Sequence, residues 1–234
     1  MSEAAPLRIL STLAVMGVLQ QVIPAREAAT GRRAEVLYEP TAKLLERIRA
    51  GAPADLAILT AEAVDALVAD GTMRPGSRVD VAVSVIGAAV KAGAPRPDIA
   101  TPEAFRAALL AAGSIGYSRA GASGIVFAGL IERLGIAAAV NAKATIIPQG
   151  FTAELAASGT VELAVQQVSE LMAVPGVDIV GPLPEALNVR AVFSGGVMAG
   201  AAGDAADWLG WLAGAATPAV LRAKGLLPVG QGKG

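Results

Sequence analysis

Short apolar runs alternate with stretches of helical periodicity along nearly the whole chain. Residues 7–10 read as a buried strand, Ser11-Thr12 as a turn, and residues 13–29 as a helix ending at Gly31. A second strand, 34–38, ends at Glu39-Pro40. Thr41 then caps a helix with Leu44, Leu45 and Ile48 on one face, stopped by Gly51. Residues 55–59 form a third strand, followed by a helix over 61–69. Residues 79–91 form a long extended stretch, broken at Gly87.

The middle of the chain repeats the pattern. Thr101-Pro102-Glu103 starts a helix to about residue 112, with proline at the first helical position. Strands follow at 114–118, 144–148 and 161–165. Ser123 caps a helix to Leu134, a second helix spans 151–158, and a short helical segment lies near 169–172. Extended segments at 178–180 and 189–193 precede two closing helices, 205–212 and 217–224, and residues 230–234 read as a tail. Repeated strand–helix units imply an α/β fold with mostly parallel sheets flanked by helices. The long extended segments near 79–91 and 189–197 bracket the central block. They are expected to be crossings between two lobes, 1–82 plus 193–234 against 83–192.

Composition narrows the chemistry. Hydrophobic residues make up 54% of the 234, aromatics 3%, so aliphatic side chains and glycine must fill the core. A net charge of −1 gives no sign of a nucleic-acid surface. The chain has no cysteine and no histidine, which excludes disulfides, thiol nucleophiles and Ser-His-Asp triads. No metal and no cofactor is expected. Residues 9–19 are apolar enough to suggest a signal peptide, but Ser2-Glu3 and a lone Arg8 are the wrong flank. As written, the chain is expected to be cytoplasmic, or periplasmic if a leader has been trimmed, with no membrane insertion.

Several stretches in this order, LRILSTLAVMGVL, AGAPADLAILTAEAVDAL, SRAGASGIVFAGLIERLGI and ASGTVELAVQQVSELMAVPGVDIVGPLP, resemble the molybdate-binding branch of the type 2 periplasmic solute-binding proteins. The resemblance spans essentially the whole chain. It implies two lobes around a ligand cleft, closing by a hinge. It also implies an oxyanion site of hydroxyls and backbone N–H groups at helix starts. The family's first hydroxyl pair matches Ser11-Thr12; its Gly-Ser-Ser site is replaced by Glu39-Pro40-Thr41, and its tyrosine position is taken by Gln167. Glu39 should repel a molybdate dianion. Aconitate isomerase is also similar to this branch.

The residues themselves point the same way. Hydroxyls at Ser11, Thr12, Thr41 and Thr60 precede or begin helices, where free N–H groups favour anions; they would serve equally as ordinary caps. The loop Ser118-Arg119-Ala120-Gly121-Ala122-Ser123-Gly124 combines small residues, which let backbone N–H groups approach an anion, with a cation able to grip a carboxylate in two prongs. Two function classes follow. One is binding of a small carboxylate or oxyanion, with an ABC transporter permease as partner if the protein is exported. The other is isomerisation of an unsaturated di- or tricarboxylate by an allylic proton shift. That would use Glu39 as base, Tyr38 or Tyr117 as acid and Arg119 as carboxylate clamp.

Overall fold

The computed structural model of the protein describes residues 5–201 and 203–230. The tail expected at 230–234 lies, apart from Gly230, outside the described residues. Two compact units divide the chain: the residues up to Val83 with those from Ala191 onward, and Ser84–Arg190.

The first unit begins with β1 (Leu7–Ser11), a 3-10 turn (Leu13–Val15) and α1 (Met16–Thr30). Then come β2 (Ala34–Tyr38), α2 (Thr41–Arg49), β3 (Leu56–Thr60), α3 (Ala61–Ala69) and β4 (Val79–Ser84). The second unit contains β5 (Ile86–Lys91), α4 (Pro102–Ala111), β6 (Ile115–Ser118), α5 (Ala122–Arg133), α6 (Ala137–Asn141) and β7 (Ala144–Ile147). It closes with α7 (Thr152–Ser158), β8 (Leu163–Gln167), α8 (Val168–Leu171) and β9 (Val177–Pro182). The chain then returns to the first unit through β10 (Ala191–Val197), α9 (Ala205–Ala215) and α10 (Pro218–Ala223).

Each unit is built on one five-stranded sheet, in the orders β2-β1-β3-β10-β4 and β7-β6-β8-β5-β9. Both sheets are mixed. Strands β1, β2 and β3 run parallel, as do β6, β7 and β8, while β10 lies antiparallel to β3 and β5 antiparallel to β8 and β9. The long strands are therefore the ones that break the parallel pattern.

Alternation along the strands sorts the core into two layers per sheet. In the first unit Leu7, Ile9, Leu56 and Ile58 face α1 and α9, where Val18, Leu19, Trp208 and Leu212 are buried. Leu10, Ala57 and Leu59 face the other way, onto Leu44, Ile48, Val64 and Leu67 of α2 and α3. In the second unit Ile115, Tyr117, Leu163 and Val165 pack with Phe105, Phe127 and Leu130, and Ala164 faces Ala153 and Ala156 of α7. Each fully buried aliphatic side chain contributes about 1.5–3 kcal/mol of transfer free energy, so both faces of both sheets stabilise the fold.

Several expected boundaries move. The extended stretch 79–91 breaks at Val85, not Gly87. Gly87 sits inside β5 because a Cβ there would lie 2.6 Å from Val168 and 2.7 Å from the Gly181 carbonyl oxygen. The helix expected to be capped by Ser123 is capped by Gly121, and Ser123 is its second residue. Helix α6 was not expected at all.

Candidate functional site

In the first unit, the register Ser11↔Tyr38 and Ser11↔Ile58 brings the carboxyl ends of β1, β2 and β3 to one sheet edge. Open α/β sheets bind ligands at such edges. Here the structure gathers Ser11, Thr12, Glu39, Thr41 and Thr60. The Thr12 N–H donates to the Ile58 carbonyl at 2.9 Å and the Glu39 N–H to the Ser11 carbonyl at 3.2 Å, which pins both loops to the edge. Ser11 and Thr12 are buried, and the Ser11 hydroxyl donates to the Thr12 carbonyl at 3.1 Å. Thr12 and Thr60 stand at cap positions with extended backbone, yet neither side chain makes a capping bond. The hydroxyls of these two residues are not spent on capping. Thr41 is the first residue of α2, behind Pro40 at the cap.

Glu39 has a partner that no spacing rule pointed to. Arg47, eight residues on in α2, grips its carboxylate in two prongs, Nε to Oε2 and Nη2 to Oε1, both at 2.6 Å. That bond holds the Glu39 carboxyl below the usual carboxylate range. Two expectations weaken together. A carboxylate so held is a poorer base, and its charge, offset by Arg47, repels an anion less. Burial pushes Tyr38 up to about 12, making it a weaker acid.

In the second unit, Ser118, Ile147 and Gln167 end the three parallel strands at the corresponding edge. The Ser118 hydroxyl accepts from the Ala120 N–H at 3.2 Å and shapes the turn into α5. Gly124 lets α5 approach: a Cβ there would fall 1.3 Å from the Ser118 carbonyl oxygen. Only glycine permits that contact. Ser123 is buried in the same first turn. Arg119 is exposed at the edge, its guanidinium 5.9 Å from the Tyr117 ring centroid. Its Nη2 donates to the Tyr117 hydroxyl at 3.1 Å, and that hydroxyl donates to Asn141 Oδ1 at 2.6 Å. Among the described residues no carboxylate pairs with Arg119. Gln167 is buried with its Oε1 unpartnered.

Residues 7–227 match the bacterial extracellular solute-binding protein family. The chain belongs to that family.

A curated relative named aconitate isomerase, from Pseudomonas sp, is 36% identical over 198 residues, covering 82% of this chain and 75% of that one. Among solved structures, the Azotobacter vinelandii periplasmic molybdate-binding protein aligns with a TM-score of 0.78 at 18% identity, over 95% of this chain and 99% of that chain. The substrate binding domain of a putative molybdenum ABC transporter from Clostridium difficile gives 0.72 at 14%, over 97% and 100%. These structures agree with the two-lobed α/β architecture of this solute-binding protein; at such identities they speak to fold alone.

Each of the nine binding residues named from sequence falls at one of the two carboxyl edges, four in the first unit and five in the second. Sequence reading missed Arg47, and it missed Asn141 because α6 was not foreseen. Two surface hollows within the units, of about 270 and 350 Å³, are lined by none of those nine. Among the described residues no helix is long and apolar enough to cross a membrane.

Proposed function

We propose that this solute-binding protein takes up a small carboxylate anion, of the di- or tricarboxylate class, through the hydroxyls and the arginine at its sheet edges. The observation that carries this reading is Arg119. Its guanidinium is exposed at a carboxyl edge, hydrogen-bonded to the Tyr117 hydroxyl, and free of any carboxylate among the described residues. A planar fork of N–H donors suits a planar carboxylate. Ser118, Ser123, Gly124 and Gln167 are the neutral candidates at the same edge, and Ser11, Thr12, Thr41 and Thr60 are those at the carboxyl edge of the other unit's sheet. With it goes the proposal of a periplasmic location and hand-over to an ABC transporter permease.

The second reading is isomerisation, favoured by the relative named aconitate isomerase. An allylic proton shift needs a base of raised pKa. Glu39 is tied to Arg47 with its pKa lowered, which argues against Glu39 as that base.

A thermal-shift series with citrate, cis-aconitate, succinate, sulfate and molybdate tests the first reading. At a hundredfold excess over Kd a ligand adds about 2.7 kcal/mol, a rise of roughly 5–10 °C for a chain of this size. The tricarboxylates should give the largest rise, and a flat response to all carboxylates would refute the reading. Conversion of cis- to trans-aconitate by the purified protein would establish the second.

A further inference from the structure

Arg119 does not stand at the second edge unsupported. Its Nε and Nη2 both donate to the Tyr117 hydroxyl, at 3.3 and 3.1 Å, so a single oxygen occupies one side of the guanidinium. Tyr117 is fully buried on β6, its ring 5.1 Å from that of Phe127 on α5 with 66° between the planes, which fixes where the hydroxyl lies. A guanidinium carries donors only, so it cannot accept the hydroxyl proton. That proton goes to Asn141 Oδ1 at 2.6 Å. With the amide turned round, its Nδ2 and the two arginine donors would crowd one oxygen, and the hydroxyl proton would have no acceptor. The network itself therefore selects the amide orientation.

Asn141 is held in turn by its surroundings. It closes α6, next to Val140, which is fully buried. Two residues on, the Lys143 ammonium donates to the Leu110 carbonyl at 2.7 Å and to the Ala112 carbonyl. The Lys143 carbonyl accepts from the Ile115 N–H at 3.2 Å. These bonds tie the end of α6 to the end of α4 and to the start of β6. A line of hydrogen bonds thus runs from a helix end, through a buried ring, to an exposed cation. The Nε–Nη2 side of that cation is occupied, whereas Nη1 makes no hydrogen bond among the described residues. A carboxylate can grip a guanidinium along the Nε–Nη2 side or across the Nη1–Nη2 end. Tyr117 leaves the end.

We propose that Tyr117 and Asn141 are positioning residues: they hold Arg119 by its Nε–Nη2 side and leave the Nη1–Nη2 end for a ligand carboxylate. The end-on approach of a ligand rests on the carboxylate-binding reading; the hold on Arg119 does not.

Nitrogen-15 NMR of the full chain reads both parts. Without ligand, the Arg119 Nε–H should exchange with water about tenfold more slowly in the parent than in Tyr117→Phe, which keeps the ring and removes the hydroxyl. Asn141→Ala, at an exposed position, should fall between the two. Saturating the parent with citrate should leave the Nε–H resonance in place, because its acceptor is still the phenol. A downfield shift, the mark of a carboxylate on that N–H, would overturn the end-on approach. By calorimetry, citrate should bind about fivefold more weakly to Tyr117→Phe, and the same change made in Arg119→Ala should cost nothing further. A loss that merely followed stability would appear on both backgrounds, and that result overturns action through Arg119. Equal Nε–H exchange in the parent and Tyr117→Phe overturns the hold itself. Should Tyr117→Phe fail to fold, Nε–H exchange unchanged by Asn141→Ala overturns it instead. If citrate binds none of the proteins while the exchange behaves as described, the carboxylate reading and the end-on approach fall, and the hold on Arg119 stands.

Discussion

Arg119 and Glu39 carry opposite charges, each at the carboxyl edge of its own unit's sheet, and have different neighbours. Glu39 is neutralised by Arg47, whereas Arg119 donates to the Tyr117 hydroxyl and keeps its charge available. Arg119→Ala should therefore weaken carboxylate binding by about 2–4 kcal/mol, the range for truncating one partner of a close charge pair. Arg119→Lys should recover part of this, since an ammonium cannot present two parallel donors. The stability of the ligand-free protein should change little, because the side chain is exposed. Calorimetry with the three proteins checks this, and equal affinities would remove Arg119 from the site. The sequence showed that Arg119 stands in a loop of small residues. It gave no sign of Arg47, because a pair eight residues apart across a proline matches no local spacing. The role expected of Glu39 changed for that reason.

At the scale of elements, glycine and buried amides decided where reading the sequence succeeded. Helices with clear stops, such as α3 before Asp70-Gly71, were legible to the residue. Strand β8 was expected at 161–165, with Gln166 and Gln167 at its end, and lies at Leu163–Gln167. Gln166 is paid for inside the protein by Thr152 and Gly150. Helix α6 is short and mostly alanine, with neither a capping side chain nor an apolar stripe to announce it. Gly124 gives the sharpest test at this scale. Its missing Cβ lets α5 meet the Ser118 carbonyl, a backbone atom that cannot rotate away. Gly124→Ala should cost at least about 3 kcal/mol, the upper part of the range for overpacking, measured by urea unfolding. Gly121→Ala, with nothing within 4 Å of its added Cβ, is the control and should cost far less. Similar stability for the two variants would show that α5 does not need the close approach.

For the whole molecule, alternation of strand and helix made an α/β fold legible. What could not be read was strand direction, since β5 and β10 look like their parallel neighbours until their partners are known. The family and the architecture agree with binding of a small solute; its choice is proposed to rest with side chains at the carboxyl edges of the sheets. The most direct measurement is an isothermal titration of the full chain with citrate, repeated with molybdate as ligand and as competitor. The account predicts saturable binding of citrate or a related tricarboxylate, undisturbed by an equal concentration of molybdate. Tight molybdate binding that displaces the carboxylate, or no carboxylate binding at all, would contradict it.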